Sequence, residues 1–291
     1  MKTQNGFTLL ETEKEFKEWL DKQYPTRKIT RLQVHHMGLP DYETWNGTDK
    51  RVYGDNRELG RTMALDSYGK TTWGSSDGYG HYIAQHFNIF PNGKVTTGRN
   101  LNSTPIGIKG WNANAICIEI YGNFDKGQDA MTEEQKQAVI FVFALLAEKF
   151  NLPINSTYIR PHAWFTSGGT YLGDYNKYKS RKTCPGTNFM GFGNTRKAFE
   201  NNFYPLLKAY KYGSNNTTTT DKTLYVKIKE DINMHSKPDF TSASVIGVIK
   251  KGGVYTVVEE VTDTGCSTHM YKLKSGVYIT ASKKYVQLIE K

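Results

Sequence analysis

The chain has 291 residues, a formal net charge of +10 at pH 7 and only three cysteines. This length is sufficient for two domains with their own cores, and an odd number of widely spaced cysteines argues against a disulfide framework. No segment approaches the roughly 18 apolar residues of a membrane-spanning helix, so no membrane insertion is expected. The positive charge favours a polyanionic partner, but no dense basic cluster of the kind that binds nucleic acid is present, which excludes nucleic acid as the expected partner.

The first 210 residues predict a mixed α/β domain with a central β-sheet flanked by helices. The N-terminus leads into charged residues without the apolar stretch of a signal peptide, so we expect synthesis in the cytoplasm. An early helix carries Phe16 and Leu20 on one side. Three runs have the composition and alternation of strands: residues 31–35, 81–90 and 115–120. Thr132 and Gln135 form a capping box that opens a helix predicted to be buried and to end near Phe150.

The chain changes character after residue 210. Residues 211–222 include a polar, low-complexity run, Gly213–Thr220, which is typical of a linker. Residues 223–291 contain short β-like runs that are separated by glycines, at 224–228, 245–249, 254–258, 270–273 and 285–288. This pattern predicts a small all-β barrel as the second domain.

Two histidine sites and one cysteine provide the residue types of a zinc site. His35 and His36 end the first predicted strand, His162 follows a proline, and Cys184 precedes a Pro-Gly turn. Because adjacent strand residues point to opposite faces, only one of the two neighbouring histidines can reach a shared metal, and the spacing does not say which. A catalytic zinc keeps three protein ligands and leaves a fourth position for water. Each residue alone is more often structural, but together they indicate a Zn2+ site.

Glu119 is the candidate proton acceptor. It lies on one face of the third predicted strand with Cys117, while Ile116, Ile118 and Ile120 share the opposite face. A carboxylate in this position is costly to bury without a partner, so it meets a cation, lies in solvent at a sheet edge, or faces a wet cleft. In a cleft that holds zinc it could take a proton from water. Cys117 is a rival thiolate ligand, which we interpret as a packing residue.

Lys182 lies two residues before Cys184. An ammonium group in this position could stabilise the oxyanion that forms when water attacks an amide carbonyl. The alternative is a solvated lysine in the basic run that also contains Lys179 and Arg181.

The order of these motifs resembles the zinc-dependent N-acetylmuramoyl-L-alanine amidases, the family of phage endolysins, bacterial autolysins and peptidoglycan recognition proteins. The resemblance covers roughly residues 29–203. The motifs that carry it are Val34–His36, His86–Val95, Gly98–Arg99, Asn114–Asn123, Arg160–His162 and Thr183–Gly186.

The resemblance implies that His35, His162 and Cys184 bind zinc, and it thereby selects His35 over His36. It also implies that Glu119 is the proton acceptor. The family has lysine or threonine two residues before the third ligand, a position that Lys182 occupies here.

One position departs from the family pattern. Gln85 stands where some members have tyrosine. An amide can donate a hydrogen bond but cannot act as an acid, so the role of that tyrosine stays unassigned.

The implied activity is hydrolysis of the amide between N-acetylmuramic acid and the L-alanine of the stem peptide of peptidoglycan, at the bacterial cell wall after release. The run Ile232–Pro238 is similar to bacterial SH3-like wall-binding domains, with Lys237 in place of the usual glycine. Peptidoglycan, and with it the anionic wall polymers, would then be the partners. Two alternatives remain: a non-catalytic peptidoglycan-binding protein, and a cysteine peptidase that uses Cys184 as its nucleophile.

Overall fold

The computed structural model describes residues 1–49, 56–212, 224–262 and 269–290. The chain forms two compact units, Met1–Ser214 and Asn215–Lys291. The predicted linker run Gly213–Thr220 lies outside the described residues, as does Cys266.

A seven-stranded mixed sheet organises the first unit. Its strands are β1 (Lys2–Gln4), β2 (Phe7–Leu10), β3 (Arg31–His36), β4 (Phe87–Ile89), β5 (Val95–Thr97), β6 (Ala115–Ile120) and β7 (Ile159–Pro161). They are arranged in the order β1-β2-β5-β4-β6-β3-β7. The four strands β4, β6, β3 and β7 run parallel, and the remaining pairs are antiparallel. The parallel core places the carboxyl ends of β3, β6 and β7 at one edge, where the candidate site residues lie.

The helices of the first unit are α1 (Glu13–Asp21), α2 (Tyr42–Thr44), α3 (Arg57–Thr72), α4 (Glu133–Lys149), α5 (Arg196–Ala198) and α6 (Tyr204–Ala209). Single π-helical turns follow α2 at Trp45–Asp49 and α5 at Phe199–Phe203. Turns of 3-10 helix occupy His162–Trp164 and Phe189–Gly191.

Helices α1 and α4 cover the isoleucine face of β6, as the alternation of that strand required. Phe16 of α1 lies between Phe87 of β4 and Phe141 of α4, with ring centroids 5.4 and 5.7 Å away. Only half of the predicted capping box forms: the Thr132 hydroxyl accepts a hydrogen bond from the Gln135 amide. The Thr132 amide donates instead to the Tyr42 hydroxyl, and the Gln135 side chain turns to backbone carbonyls of the sheet. Helix α4 ends at Lys149, close to the predicted end near Phe150, and the chain then passes through the left-handed region at Asn151. The prediction of an α/β domain is thus confirmed.

The predicted strand 81–90 is wrong for its first half, since only Phe87–Ile89 is a strand. Side-chain carboxylates accept hydrogen bonds from backbone amides that a longer strand would have paired with its neighbour. The amides of Tyr82 and Ile83 both donate to the Asp66 carboxylate, and the His81 amide donates to Asp77. The backbone therefore turns here instead of pairing.

The second unit is all-β, as predicted. Its strands are β8 (Leu224–Ile228), β9 (Ile232–His235), β10 (Val245–Ile249), β11 (Val254–Thr262), β12 (His269–Leu273), β13 (Tyr278–Thr280) and β14 (Val286–Glu290). They form one sheet in the order β10-β9-β13-β12-β11-β8-β14. No pairing joins β10 to β14 within the described segments, so a closed barrel is not observed.

No helix in the part of the chain that the structure describes is both long enough and apolar enough to cross a membrane.

Candidate metal centre

The parallel pairing of β3 with β6 brings the first candidate residues side by side. His35 and Glu119 are direct partners in the register of these two strands. Partners on neighbouring strands project from the same face of a sheet, and the His35 Nδ1 atom lies 3.8 Å from the Glu119 Oε1 atom. His36, the next residue along β3, directs its ring elsewhere and its Nδ1 accepts a hydrogen bond from the Phe124 amide.

The segment that follows β6 holds the loop that carries Cys184. The Asp125 carboxylate accepts hydrogen bonds from the Thr183 hydroxyl at 2.8 Å and from the Thr187 amide at 2.9 Å, on either side of the cysteine. The backbone amide of His36 donates to the Cys184 sulfur at 3.3 Å. The sulfur is thereby placed 3.5 Å from the His35 Nδ1 atom.

His162 enters from the third neighbouring strand. It follows β7, which pairs in parallel with β3 on the side opposite β6. The amide of the next residue, Ala163, donates to the carbonyl oxygen of Cys184 at 2.7 Å, which ties the two loops together. The rings of His35 and His162 meet edge to face, with their centroids 5.1 Å apart.

One potential ligand atom from each of His35, His162 and Cys184 lies within 4.8 Å of the other two. Zinc bonds of about 2.0–2.3 Å in a tetrahedral site place the donor atoms roughly 3–4 Å apart. The observed 3.5 Å between the Cys184 sulfur and the His35 Nδ1 atom falls within that range. Two imidazoles and a thiolate are also donors that zinc prefers, so the residues present fit the ion that the sequence resemblance implied.

Burial keeps the two imidazoles uncharged. It holds the pKa of His35 well below its ordinary value of 6.5, with the nearby His162 and Lys182 adding to the effect. Burial, followed by the Lys182 cation, lowers the pKa of His162 to about 4. Neutral imidazole is the form that binds a metal, so both histidines are ready to act as ligands near neutral pH.

The two acidic groups of the site are disfavoured as anions. Burial raises the pKa of the Cys184 thiol well above its ordinary value, and the neighbouring Glu119 raises it further. Burial also raises the pKa of Glu119 to about 8, while the Lys182 cation opposes that shift. The Glu119 Oε2 atom is buried and has no hydrogen-bond partner among the residues that the structure describes. A buried carboxylate oxygen without a partner, next to three donors of the type that bind metals, indicates that a bound polar species satisfies it.

Lys182 lies at the exposed side of this cluster. Its charge lowers the pKa of His35, His162 and Glu119. Lys182 thus adds positive charge to the environment of the three side chains.

Cys117 belongs to a second possible group, with His35 and Glu119, whose ligand atoms also lie within 4.8 Å of one another. The thiol of Cys117 is only 1% exposed, and burial raises its pKa well above the ordinary value. A metal in that position would have no open side for a substrate, so this group is the poorer candidate for a catalytic ion.

Gln85, which stands at the position of the family tyrosine, is hydrogen-bonded to a polar side chain of β4. The buried Gln85 amide donates to the Asn88 Oδ1 atom, and the Asn88 amide donates to the Thr96 hydroxyl. Asn88 is the register partner of Glu119 on β4. A row of polar side chains thus crosses the sheet from Thr96 on β5 to His35, and Gln85 joins this row at Asn88.

Gln33 is a residue of the site that the sequence reasoning missed. It is fully buried, and its Oε1 atom lies 3.2 Å from the Nε2 atom of His35. The signal was present, because residues two apart on a strand share a face and a glutamine between buried apolar neighbours needs partners.

Comparison with known proteins gives matches for both units. Residues 217–286 match a domain of unknown function, DUF5776. A search of curated proteins finds no match.

The solved structures that are similar include the endolysin N-acetylmuramoyl-L-alanine amidase LysCS from Clostridium intestinale, at 22% identity and a TM-score of 0.35, covering 56% of this chain and 78% of that one. Drosophila PGRP-LB matches at 14% identity and a TM-score of 0.40, covering 56% of this chain and 78% of that one. Bumblebee PGRP-SA matches at 17% identity and a TM-score of 0.40, covering 63% of this chain and 90% of that one.

The match that decides the family spans more than half of the chain and contains every residue of the candidate metal centre. Residues 25–187 match the N-acetylmuramoyl-L-alanine amidases, and the chain belongs to that family.

Proposed function

We propose that this protein is a zinc-dependent N-acetylmuramoyl-L-alanine amidase that cleaves the bond between N-acetylmuramic acid and the L-alanine of the stem peptide. The observation that carries the proposal is the convergence of His35, His162 and Cys184, with ligand atoms within 4.8 Å of one another, beside a carboxylate with an unpartnered oxygen. The three residues would hold the ion.

Zinc bound there would supply Lewis acidity, which makes water more acidic, polarises the substrate carbonyl and favours the charged form of Glu119. The Glu119 carboxylate takes a proton from the attacking water and later gives it to the leaving amine. Burial raises the pKa of Glu119 in the protein alone, and a zinc ion beside it would lower that pKa toward the charged form that acts as the base. Lys182 stabilises the negative charge that develops on the carbonyl oxygen.

Chelation tests the proposal. Treatment with a strong chelator should abolish the release of L-alanine-linked peptides from purified peptidoglycan, because the ligand set then holds no Lewis acid. Adding one equivalent of zinc should restore the release of these peptides, and metal analysis should find zinc in the active protein. Activity that survives complete removal of metal would refute the proposal.

The distance of 3.5 Å between the Cys184 sulfur and the His35 Nδ1 atom is also compatible with a cysteine peptidase. A cysteine nucleophile needs a lowered pKa, whereas burial raises the pKa of Cys184 well above its ordinary value. Cys184 is also only 3% exposed. The chelation experiment separates the two mechanisms, since a cysteine peptidase would keep its activity without metal.

Replacing Lys182 with alanine should lower kcat by about 10- to 100-fold and leave zinc bound. This loss is smaller than the 10²–10³ that a buried oxyanion donor contributes, because an exposed charge is screened by solvent. Lys182→Arg keeps the positive charge and should retain most of the activity. Lys179→Ala, an exposed lysine of the same loop, is the matched control. Wild-type turnover in Lys182→Ala would remove this residue from the mechanism.

We further propose that residues 223–291 form an SH3-like module that binds the cell wall, with residues 211–222 as the linker. The all-β sheet of the second unit and the SH3-like run around Lys237 support this assignment. The net charge of +10 favours attraction to the anionic polymers of a bacterial wall, where the enzyme would act.

Deleting residues 214–291 should therefore slow the lysis of whole cells without changing the hydrolysis of small soluble muropeptides. A tethered binding module raises the local concentration of substrate and leaves the chemistry unchanged. The two assays, run on the same preparation with circular dichroism as a check of folding, separate targeting from catalysis. Equal lysis by the full chain and the truncated form would contradict the targeting role.

A further inference from the structure

We propose that Gln33 is a positioning residue that fixes the tautomer of His35, so that Nε2 carries the proton and Nδ1 presents its lone pair to the metal centre. The part of this inference that concerns zinc rests on the proposed function. The part that concerns the tautomer rests only on hydrogen bonds within the protein.

The orientation of the Gln33 amide is set by groups other than the histidine. Its Nε2 atom lies 2.9 Å from the carbonyl oxygen of Trp111, which can only accept. Its Oε1 atom lies 3.2 Å from the backbone amide of Ile108, which can only donate. Exchanging the oxygen and nitrogen would break both contacts, so the oxygen must be the atom that faces His35.

This orientation determines where the proton of His35 lies. The Gln33 Oε1 atom is 3.2 Å from the His35 Nε2 atom, and an amide oxygen can only accept. A neutral imidazole has one N–H group, so that proton lies on Nε2 and Nδ1 is left as the acceptor. Nδ1 is the atom that faces the Cys184 sulfur at 3.5 Å and Glu119 at 3.8 Å.

The loop that follows β5 clamps Gln33 in place. The second proton of the Gln33 amide is directed to the Oδ1 atom of Asn112 at 3.1 Å, and the same oxygen accepts from the Gly107 amide at 3.0 Å. A Cβ atom at Gly107 would overlap the Gln33 Oε1 atom, so the loop passes directly over the amide. All four hydrogen-bonding positions of Gln33 are used, although the residue has no exposed surface.

A group that holds the distal nitrogen of a metal-binding histidine orients the ring and raises its basicity, and losing it commonly costs about 10- to 100-fold in metal affinity. Gln33 holds the distal nitrogen of His35 in this way. We therefore expect Gln33 to increase the affinity for zinc, which can be measured separately from catalytic activity.

The first test observes the tautomer directly, in the metal-free wild-type protein. Long-range ¹⁵N–¹H correlation spectra of ¹⁵N-histidine-labelled protein, with His35 assigned by the signal missing from His35→Ala, should show the proton on Nε2. A proton on Nδ1 overturns the inference. Because this measurement needs neither zinc nor activity, it decides the matter even if the amidase proposal fails or a Gln33 variant does not fold.

The second test measures zinc affinity by competition with a chromophoric chelator. Gln33→Met, which keeps the shape and removes the acceptor, should weaken binding about 10- to 100-fold. Asn112→Ala removes one partner of the Gln33 amide but leaves the oxygen opposite His35 in place, and should therefore lose less zinc affinity than Gln33→Met. Wild-type affinity in Gln33→Met, or an equal loss in Asn112→Ala, would show that Gln33 acts only on the packing of the loop.

Discussion

Replacing Glu119 with glutamine is expected to lower the rate of amide hydrolysis by about 10²–10⁴-fold, the usual contribution of a general base. Glutamine has nearly the shape of glutamate but cannot take up a proton at neutral pH. The three candidate metal ligands lie on other parts of the chain, so zinc content should be unchanged.

The structure gives a reason to expect that folding survives this substitution. The Glu119 Oε2 atom is buried without a partner, and burial raises the pKa of the carboxyl group to about 8. Burying the charged Glu119 carboxylate therefore destabilises the protein without metal, and the neutral amide of glutamine removes this cost. We expect the melting temperature of the metal-free variant to equal or exceed that of the wild type.

Glu148→Gln, at an exposed position of α4, is the matched control and should retain full activity. Activity, zinc content and melting temperature are measured on the same samples. A Glu119→Gln variant that hydrolyses peptidoglycan at a rate close to that of the wild type would exclude Glu119 as the proton acceptor.

Local patterns predicted the parts of the site that lie on regular strands. Alternation along β6 separates Glu119 from the isoleucine face, and the same period separates His35 from His36. Glu119 lies beside His35 because of the parallel register of β3 with β6, which is a tertiary interaction. The alternation of residues within either strand does not reveal this pairing.

The loops could not be predicted in this way. The Cys184 loop is held by Asp125, 58 residues before the threonine that precedes the cysteine. A backbone hydrogen bond from Ala163 to the Cys184 carbonyl oxygen links the His162 turn to the Cys184 loop. The residue types alone suggested that the two histidine sites and Cys184 form a zinc site, and the family resemblance then selected His35 over His36.

Helix α3 was not predicted either. It spans Arg57–Thr72 and includes Gly60 and Gly69, which disfavour a helix by about 1 kcal/mol each relative to alanine. A Cβ atom at Gly69 would overlap the carbonyl oxygen of Tyr82, so close packing requires glycine there. Tertiary contact thus outweighs local propensity in this helix.

Gly186 offers a test of how firmly the Cys184 loop must be held. Its φ angle is +114°, and a Cβ atom there would overlap the backbone carbonyl of Phe124. Gly186→Ala combines two costs, backbone strain of roughly 1–3 kcal/mol and a collision with an atom of the main chain, which cannot rotate away. The Thr183–Thr187 loop must shift away from the segment after β6.

The control separates the two costs. Gly127 also has a positive φ angle, +84°, but a Cβ atom there meets nothing within 4 Å. Gly127→Ala should lower the free energy of unfolding by about 1 kcal/mol through backbone strain. Gly186→Ala should lower it by clearly more, as measured by urea denaturation of the metal-free proteins.

The effect on metal binding gives the second readout. If the loop moves, the Cys184 sulfur leaves its position 3.5 Å from the His35 Nδ1 atom, and the affinity for zinc should fall with stability in Gly186→Ala but not in Gly127→Ala. Equal denaturation midpoints and equal zinc affinities for the two variants would mean that the loop adjusts freely. The close approach of Gly186 to Phe124 would then not be what positions the third ligand.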